Sequence, residues 1–271
     1  MKKAQIKFYG VRGSLARPGL DTLLFGGNTA CVEIVWNKKI FIIDTGTGAF
    51  ELGRKLAGTR VKATVLFTHY HWDHIIGLPF FSPIHDPRSA FELIGMRGLK
   101  PALARLLSAP NFPVRLKDLK ARIKFREIKE GAFAIEGVLI DAFEVNHPNG
   151  AFGYRFFFGN GRSVALISDN GPSQDDSGLI DKICGADILI HDAQYLPREG
   201  IKKKRFGHST YNYVLDLARK ACIRKIVLFH HDPSRTDAEL EDIEKKARGT
   251  AKKIGLDCVV SAAREGTEIN L

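Results

Sequence analysis

The densest chemistry in the chain lies in one run, Phe67-Thr-His-Tyr-His-Trp-Asp-His74, directly after the apolar stretch ATVLF. Residues two apart at an extended strand end project to the same side, so His69 and His71 can converge on one cation. Asp73 and His74, past the turn, are placed to face a second. Imidazole nitrogen and carboxylate oxygen suit divalent zinc, or manganese and iron where carboxylate is richer, at about 2.0 to 2.2 Å. Three histidines and an aspartate so close together have few purely structural uses. Further candidates follow at wider spacing. His147 in EVNHP, Asp169 in ISDN and the pair His230 and His231 in FHHDP all come after strand-like runs, at the sheet edge where such sites are built. In Gly207-His-Ser-Thr210, which precedes an amphipathic pattern, Ser209 or Thr210 reads as a helix N-cap.

The elements that must position these residues are short apolar runs alternating with helical patterns. AQIKFY, CVEIV, KIFIID and ATVLF read as strands, as do GVLIDAFEV, GYRFFF, SVALIS, DILIH and KIVLFH. Helical periodicity covers Ala49 to Leu56, Tyr211 to Ala221 and Ala238 to Lys253. The stretch from about 79 to 113 is dense in breakers around a helix-like KPALARLL and reads as an irregular excursion, a candidate lid or homodimer contact through Phe80, Phe81 and Phe112. No domain boundary is evident, so residues 1–271 are expected to form a single domain. A strand, Asp, turn pattern occurs twice, in FIIDTGTG and in ALISDNGP.

The HYHWDH run resembles the H-x-H-x-D-H signature of the metallo-β-lactamase superfamily, and FYGVRGS, GGNTACVEI and IIDTGTG resemble the opening of its phosphodiesterase branch, which includes ribonuclease Z and the phosphoribosyl cyclic phosphate phosphodiesterases. EVNHP, ISDN, HDAQY, GHST and HHDP then fall in the family's order. The resemblance implies an α/β fold, the four-layer αββα sandwich of the metallo-β-lactamase fold, and a metal-dependent hydrolase. Position by position, it implies one metal held by His69, His71 and His147, and another by Asp73, His74 and His230, with Asp169 bridging both; His231 is the alternative to His230. Two cations about 3.5 to 4 Å apart can share a water and leave a hydroxide as nucleophile, which Asp73 would also orient. His208 would act as general acid to the leaving oxygen, as the GHST block does in the ribonuclease Z branch, and Asp192 would orient it. Asp192 stands where glutamate is common in relatives, a shorter side chain than the pattern leads one to expect. His191 is either a support of the site or structural. Gly26, Gly27, Asn28, Asp44 and Thr45 resemble turn and strand-end positions near the family's site, and turn chemistry with buried hydrogen bonding is the expectation for them.

Composition narrows the substrate. The chain carries 41 Lys and Arg against 30 Asp and Glu, a formal net charge of +11, which suits anionic substrates. Individual basic runs, at Lys38 to Lys39, Lys100 to Arg105, Lys117 to Arg126, Lys202 to Arg205 and Lys245 to Lys253, read as solvated faces. The opening MKKAQIKFYG has no apolar core of a secretory signal, and no stretch reaches the roughly 18 apolar residues of a membrane span. Cys31, Cys184, Cys222 and Cys258 lack CxxC spacing and occupy apolar contexts that suit buried, reduced thiols, so a cytoplasmic setting is expected. Of the chemistries the family supports, flavin-linked oxygen reduction would call for an appended flavodoxin-like domain. GHST, the basic charge and the opening blocks favour phosphodiesters over thioesters. Asp169 follows His147 by 22 positions that read as hairpin and strands, which leaves no room for the long basic arm with which ribonuclease Z grips tRNA. A small cyclic or nucleotide phosphodiester, cleaved with two divalent ions, zinc first, is therefore the expected substrate, with RNA or a thioester as alternatives.

Overall fold

The computed structural model describes residues 3–271. They divide into two compact units. The first comprises the residues up to Ala16, Asn28–Lys129 and Glu265–Leu271; the second comprises Arg17–Gly27 and Glu130–Arg264.

The first unit contains strands β1 (Gln5–Gly10), β2 (Cys31–Trp36), β3 (Lys39–Ile43), β4 (Lys62–Leu66), β5 (Ala90–Gly95) and β6 (Arg122–Glu127), closed by the C-terminal β14 (Glu268–Asn270). Its helices are α1 (Ala49–Leu56), the single turn α2 (Trp72–Ile75) and α3 (Leu99–Leu106). The second unit contains β7 (Gly131–Ile135), β8 (Val138–Val145), β9 (Ala151–Phe157), β10 (Ser163–Ile167), β11 (Ile188–Asp192), β12 (Lys225–Phe229) and β13 (Val259–Ala262). Its helices are α4 (Ser177–Ile183), α5 (Pro197–Lys202), α6 (Tyr211–Lys220) and α7 (Asp237–Lys253).

Each unit is built on one seven-stranded mixed sheet. The orders are β14-β1-β2-β3-β4-β5-β6 and β13-β12-β11-β10-β9-β8-β7. In the first, β3 pairs antiparallel with β2 and parallel with β4; in the second, β10 pairs antiparallel with β9 and parallel with β11. The strands that carry the twice-repeated strand, Asp, turn pattern thus hold the same topological place in both sheets. Parallel pairing continues through β4, β5 and β6 and through β11, β12 and β13, so the C-terminal ends of consecutive strands line one sheet edge. In open α/β sheets such edges, at the point where the order reverses, are where ligands are held.

The sequence explains which strands are central. Every residue of β10 and β11 is buried, matching the apolar runs VALI and ILI within them, whereas the edge strands β6 and β7 alternate exposure along RIKFRE and GAFAI. Fully burying each Ile or Leu of this kind contributes roughly 1.5 to 3 kcal/mol. The helices bury one face each. In α6 it is Tyr211, Val214, Leu215, Leu217 and Ala218, behind an N-cap in which Thr210 accepts a hydrogen bond from the Tyr213 amide at 3.3 Å. In α7 it is Leu240, Ile243, Ala247 and Ala251, behind a capping box of Thr236 and Glu239. Among the described residues, no helix is long and apolar enough to cross a membrane.

Two expectations are corrected. Within the stretch read as irregular, Ala90–Gly95 is a strand in parallel register with both β4 and β6, while the helix-like KPALARLL is indeed helical, at Leu99–Leu106. A six-residue strand flanked by prolines carries too little periodicity to stand out; its hydrogen bonds come from partners distant in sequence. Phe81 is core, while Phe80 is half-exposed with its ring edge-on to Phe112. The cysteines are all free, but only Cys31 is buried; Cys184 and Cys222 are exposed and Cys258 is intermediate. Cys184 caps the C-terminus of α4 and Cys222 follows α6 with φ of 56°, so both sit where the chain turns out of the core.

Leu93, wholly buried in β5, tests that strand directly. Leu93→Ala is expected to lower stability by about 2 to 5 kcal/mol, read as a lower thermal midpoint, where a loop residue would change it little.

Candidate metal centre

In the first unit the motif sits at the end of β4. His71 keeps extended backbone (φ −64°, ψ 152°) before α2 begins, so His69 and His71 point the same way, as alternation requires. The Nε2 of His69 lies 2.9 Å from the Nδ1 of His71. That separation suits a shared proton or a shared cation. His74 Nε2 is 3.2 Å from an oxygen of Asp73, and the rings of His69 and His74 are 4.2 Å apart. The Asp73 carboxylate also accepts the Ser14 amide at 2.7 Å, which gives the FYGVRGS block a role.

Behind these donors stands Asp44, only 1% exposed. It accepts the Thr68 amide, the Thr68 hydroxyl and His74 Nδ1, each at 2.8 Å. The Thr68 hydroxyl, having donated to Asp44, accepts from His69 Nδ1 at 3.1 Å. Both imidazoles are therefore held with Nδ1 protonated and the Nε2 lone pair turned outward, the tautomer that a metal ligand needs. Burial pushes the Asp44 carboxyl up from its ordinary range, and His74 and Thr68 pull it back. Asp44 adopts φ of 59°, left-handed backbone that costs energy outside glycine.

In the second unit, Asp169 follows β10, is 2% exposed, and shows a different oxygen to each of two histidines. His147 Nε2 lies 3.7 Å from Oδ2 and His230 Nε2 lies 3.4 Å from Oδ1. The far ring nitrogens are again anchored: His147 Nδ1 donates to the Gly207 carbonyl and His230 Nδ1 to the Gln194 side-chain oxygen, both at 2.9 Å. His231 instead gives its Nε2 to the Ala263 carbonyl at 2.9 Å and meets Phe25 edge-on. His230 has φ of 56°, so the strand-end strain at Asp44 recurs here.

His208 stands among these groups. Its ring stacks on His230 at 5.1 Å, lies 5.2 Å from His147, and is met edge-on by Tyr195 at 5.6 Å. Its Nδ1 lies 2.9 Å from Asp192, whose oxygens also accept the amides of Gln194, Asn170 and Ser209 at 2.9, 3.1 and 3.3 Å. Asp192 is wholly buried, and its charge is met by these donors. Burial, with Asp192, Asp232, Glu199 and Asp169 nearby, pushes the Tyr195 hydroxyl above the ordinary phenol range, so it stays protonated. His191 donates from Nδ1 to the Asp192 carbonyl at 2.7 Å, and burial holds its pKa below the usual value.

The structure thus gathers His69, His71, Asp73 and His74 in one unit, and His147, Asp169, Asp192, His208 and His230 in the other. Buried imidazoles with oriented lone pairs beside carboxylates fit divalent ions by donor chemistry, and within the second unit His147, Asp169 and His208 place ligand atoms within 4.8 Å of one another. Asn28 serves hydrogen bonding: its amide and side chain donate to Glu265 at 2.6 and 2.9 Å. Gly26 turns with φ of 99°, Gly27 packs against the Arg17 carbonyl, and the Thr45 amide donates to the His74 carbonyl at 2.8 Å. Two supports escape sequence reading, Asp44 as an orienter and Gln194. The signal for the first was the repeated strand, Asp, turn pattern; Gln194 carries none beyond its place two residues after Asp192.

Residues 39–231 match the model of the beta-lactamase superfamily domain. Ribonuclease Z of Pyrococcus horikoshii is 24% identical over 272 aligned positions, covering 79% of this chain and 84% of that protein. Among solved structures, the metallo-β-lactamase fold protein YhfI from Bacillus subtilis aligns over all of both chains with a TM-score of 0.74 at 16% identity. A diphosphatase from the PhnP family aligns over all of this chain and 98% of its own, with a TM-score of 0.73 at 19% identity. The two mixed sheets with their flanking helices are thus those of the metallo-β-lactamase fold, as the motifs imply.

Asp44→Asn keeps the shape but replaces an acceptor with a donor beside His74 and Thr68. It is expected to weaken metal retention by about 10- to 100-fold, read by chelator competition with metal analysis. Gly207 has φ of 72°, and a Cβ there would collide with Pro148 and approach His147 Nδ1 to 2.9 Å. Gly207→Ala is expected to destabilise the fold by about 1 to 3 kcal/mol and to displace His147, read as a lower melting temperature together with lost metal.

Proposed function

This chain belongs to the beta-lactamase superfamily, and from that premise we propose that it is a metal-dependent phosphodiesterase acting on a small cyclic or nucleotide phosphodiester. The residues of the two units would serve one hydrolase domain spanning 1–271. One ion would be held by His69, His71 and His147, and the other by Asp73, His74 and His230, with Asp169 shared. His230 is preferred to His231 because its Nε2 faces Asp169 while that of His231 is committed to a carbonyl. The imidazole-rich donor set favours two zinc ions, and the free cysteines favour a cytoplasmic setting. Such ions, when bound, activate a shared water and neutralise charge on a phosphoryl oxygen.

The observation that carries the reading is the His208–Asp192 pair. Asp192, held by three backbone amides, fixes the imidazole through Nδ1 and stabilises its protonated form, which leaves Nε2 to deliver a proton to the departing oxygen. Stacking on His230 and the edge of Tyr195 hold that ring in place. Asp73, oriented by the Ser14 amide, would help to hold one ion and orient the attacking hydroxide. Ribonuclease Z activity is the second reading, favoured by the curated relative of that name. Against it, the interval from His147 to Asp169 is taken up by β9 and β10.

The test is turnover of bis(p-nitrophenyl) phosphate by zinc- or manganese-loaded protein, with a thioester beside it. His208→Ala is expected to lower kcat by about 10²- to 10⁴-fold with metal content retained; Asp73→Ala is expected to lose both turnover and metal. Thioester turnover alone, or no phosphodiester turnover with either metal, would overturn the proposal.

A further inference from the structure

Between HDAQY and GHST the chain leaves the candidate centre and returns to it. Tyr195 and Thr210 form an isolated bridge, with the Tyr195 amide donating to the Ser209 carbonyl at 2.9 Å, so the intervening excursion is tied at its base. Glu199 anchors its interior by capping α5 at the Leu196 amide and pairing with Arg235. The excursion carries Arg198, Lys202, Lys203, Lys204 and Arg205, together with Ile201 and Phe206, which are 82% and 48% exposed.

Lys203 differs from the other cations of this run. Its ammonium lies 3.4 Å from the buried Asp232 and 4.6 Å over the Tyr195 ring, which in turn meets His208. One of its three N–H donors is taken by Asp232, and two are left for a ligand. The held ammonium therefore lies within about 10 Å of the ring assigned to protonate the leaving oxygen. Two residues further along the chain, the Arg205 guanidinium lies 5.0 Å over the half-exposed Phe206 ring, which itself stands two residues before His208. Arg198, Lys202, Lys204 and Arg205 have no carboxylate at ion-pair distance among the described residues. Cations that track a phosphate backbone next to an aromatic face on which a base can stack are the features of single-stranded nucleic-acid grooves.

We propose that Lys203 and Phe206 form a subsite for the nucleotide next to the scissile phosphate, Lys203 holding its phosphate and Phe206 stacking its base. Building on the phosphodiesterase reading, this assigns a linear substrate with a further phosphate and base beyond the scissile bond, in preference to a cyclic mononucleotide. Lys203 is thus a specificity-determining residue, while His208 remains the group at the reacting atoms.

Two measurements test it. The first is the ratio of kcat/KM for the 5′-phosphorylated dinucleotide pdTpdT to that for bis(p-nitrophenyl) phosphate. Lys203→Met and Phe206→Ala are each expected to lower this ratio by about tenfold, Lys203→Arg to restore most of it, and the distant surface variant Lys252→Met to leave it unchanged. The second is fluorescence anisotropy of a labelled 5′-phosphorylated oligothymidylate with the protein at low salt, which reads the subsite even if no phosphodiester is turned over. Binding that weakens with salt, and weakens again in Lys203→Met and Phe206→Ala proteins of unchanged melting temperature, supports the subsite. Loss of bis(p-nitrophenyl) phosphate turnover in the wild type would count against the phosphodiesterase reading alone. An unchanged ratio, or oligonucleotide binding indifferent to both substitutions, would overturn the subsite.

Discussion

Asp169 keeps a carboxylate 2% exposed with histidine nitrogens on both sides, and such a group is stable in a protein interior only when its charge is met. Much of the surrounding structure answers that constraint. The carboxylate stands at a strand end where topology reverses, so backbone hydrogen bonding stops there and polar side chains take over. The histidines that face it have their other ring nitrogens committed, one to the Gly207 carbonyl and one to Gln194. A lone pair is thereby fixed toward the carboxylate, and a cation is the species that satisfies both.

Orientation is obtained at some cost in backbone strain. Asp44 and His230 both adopt left-handed φ at the ends of strands, in positions glycine would occupy more easily. Each spends that strain on a side chain whose direction matters: Asp44 supports Thr68, His69 and His74, and His230 faces Asp169. Gly207 is the converse case, where a left-handed turn packed against Pro148 and His147 leaves no space for a side chain. The GHST block therefore combines three jobs in four residues, a carbonyl acceptor for His147, the His208 imidazole and the cap of α6.

Fold alone does not choose among phosphodiesters, thioesters and other substrates of this superfamily. On the proposed reading, what would separate them lies outside the candidate ligands, in the His208–Asp192 pair and in the charge carried by the excursion that precedes it. A net charge of +11 spread over many exposed runs is weak evidence for any one surface. It gains meaning where a cation is held in place, as Lys203 is by Asp232 and Tyr195.

The sequence by itself marked the cluster of histidines and aspartate, most strands and the helical segments α1, α6 and α7, because alternation on an extended strand end places His69 and His71 together and apolar runs mark central strands. It also determined that the strand, Asp, turn pattern occurs twice. Only the tertiary structure decided that Asp44 is an orienting group, that Gln194 holds His230, that His231 is turned away to Ala263, and that Ala90–Gly95 is a strand. The physical reason is common to all four. Each depends on a hydrogen-bond partner far along the chain, 24 residues away for Asp44 and Thr68 and 36 for Gln194 and His230. No local pattern records such partners. The exposed Cys184 and Cys222 show the same limit from the other side: apolar neighbours in sequence do not bury a residue whose backbone turns out of the core.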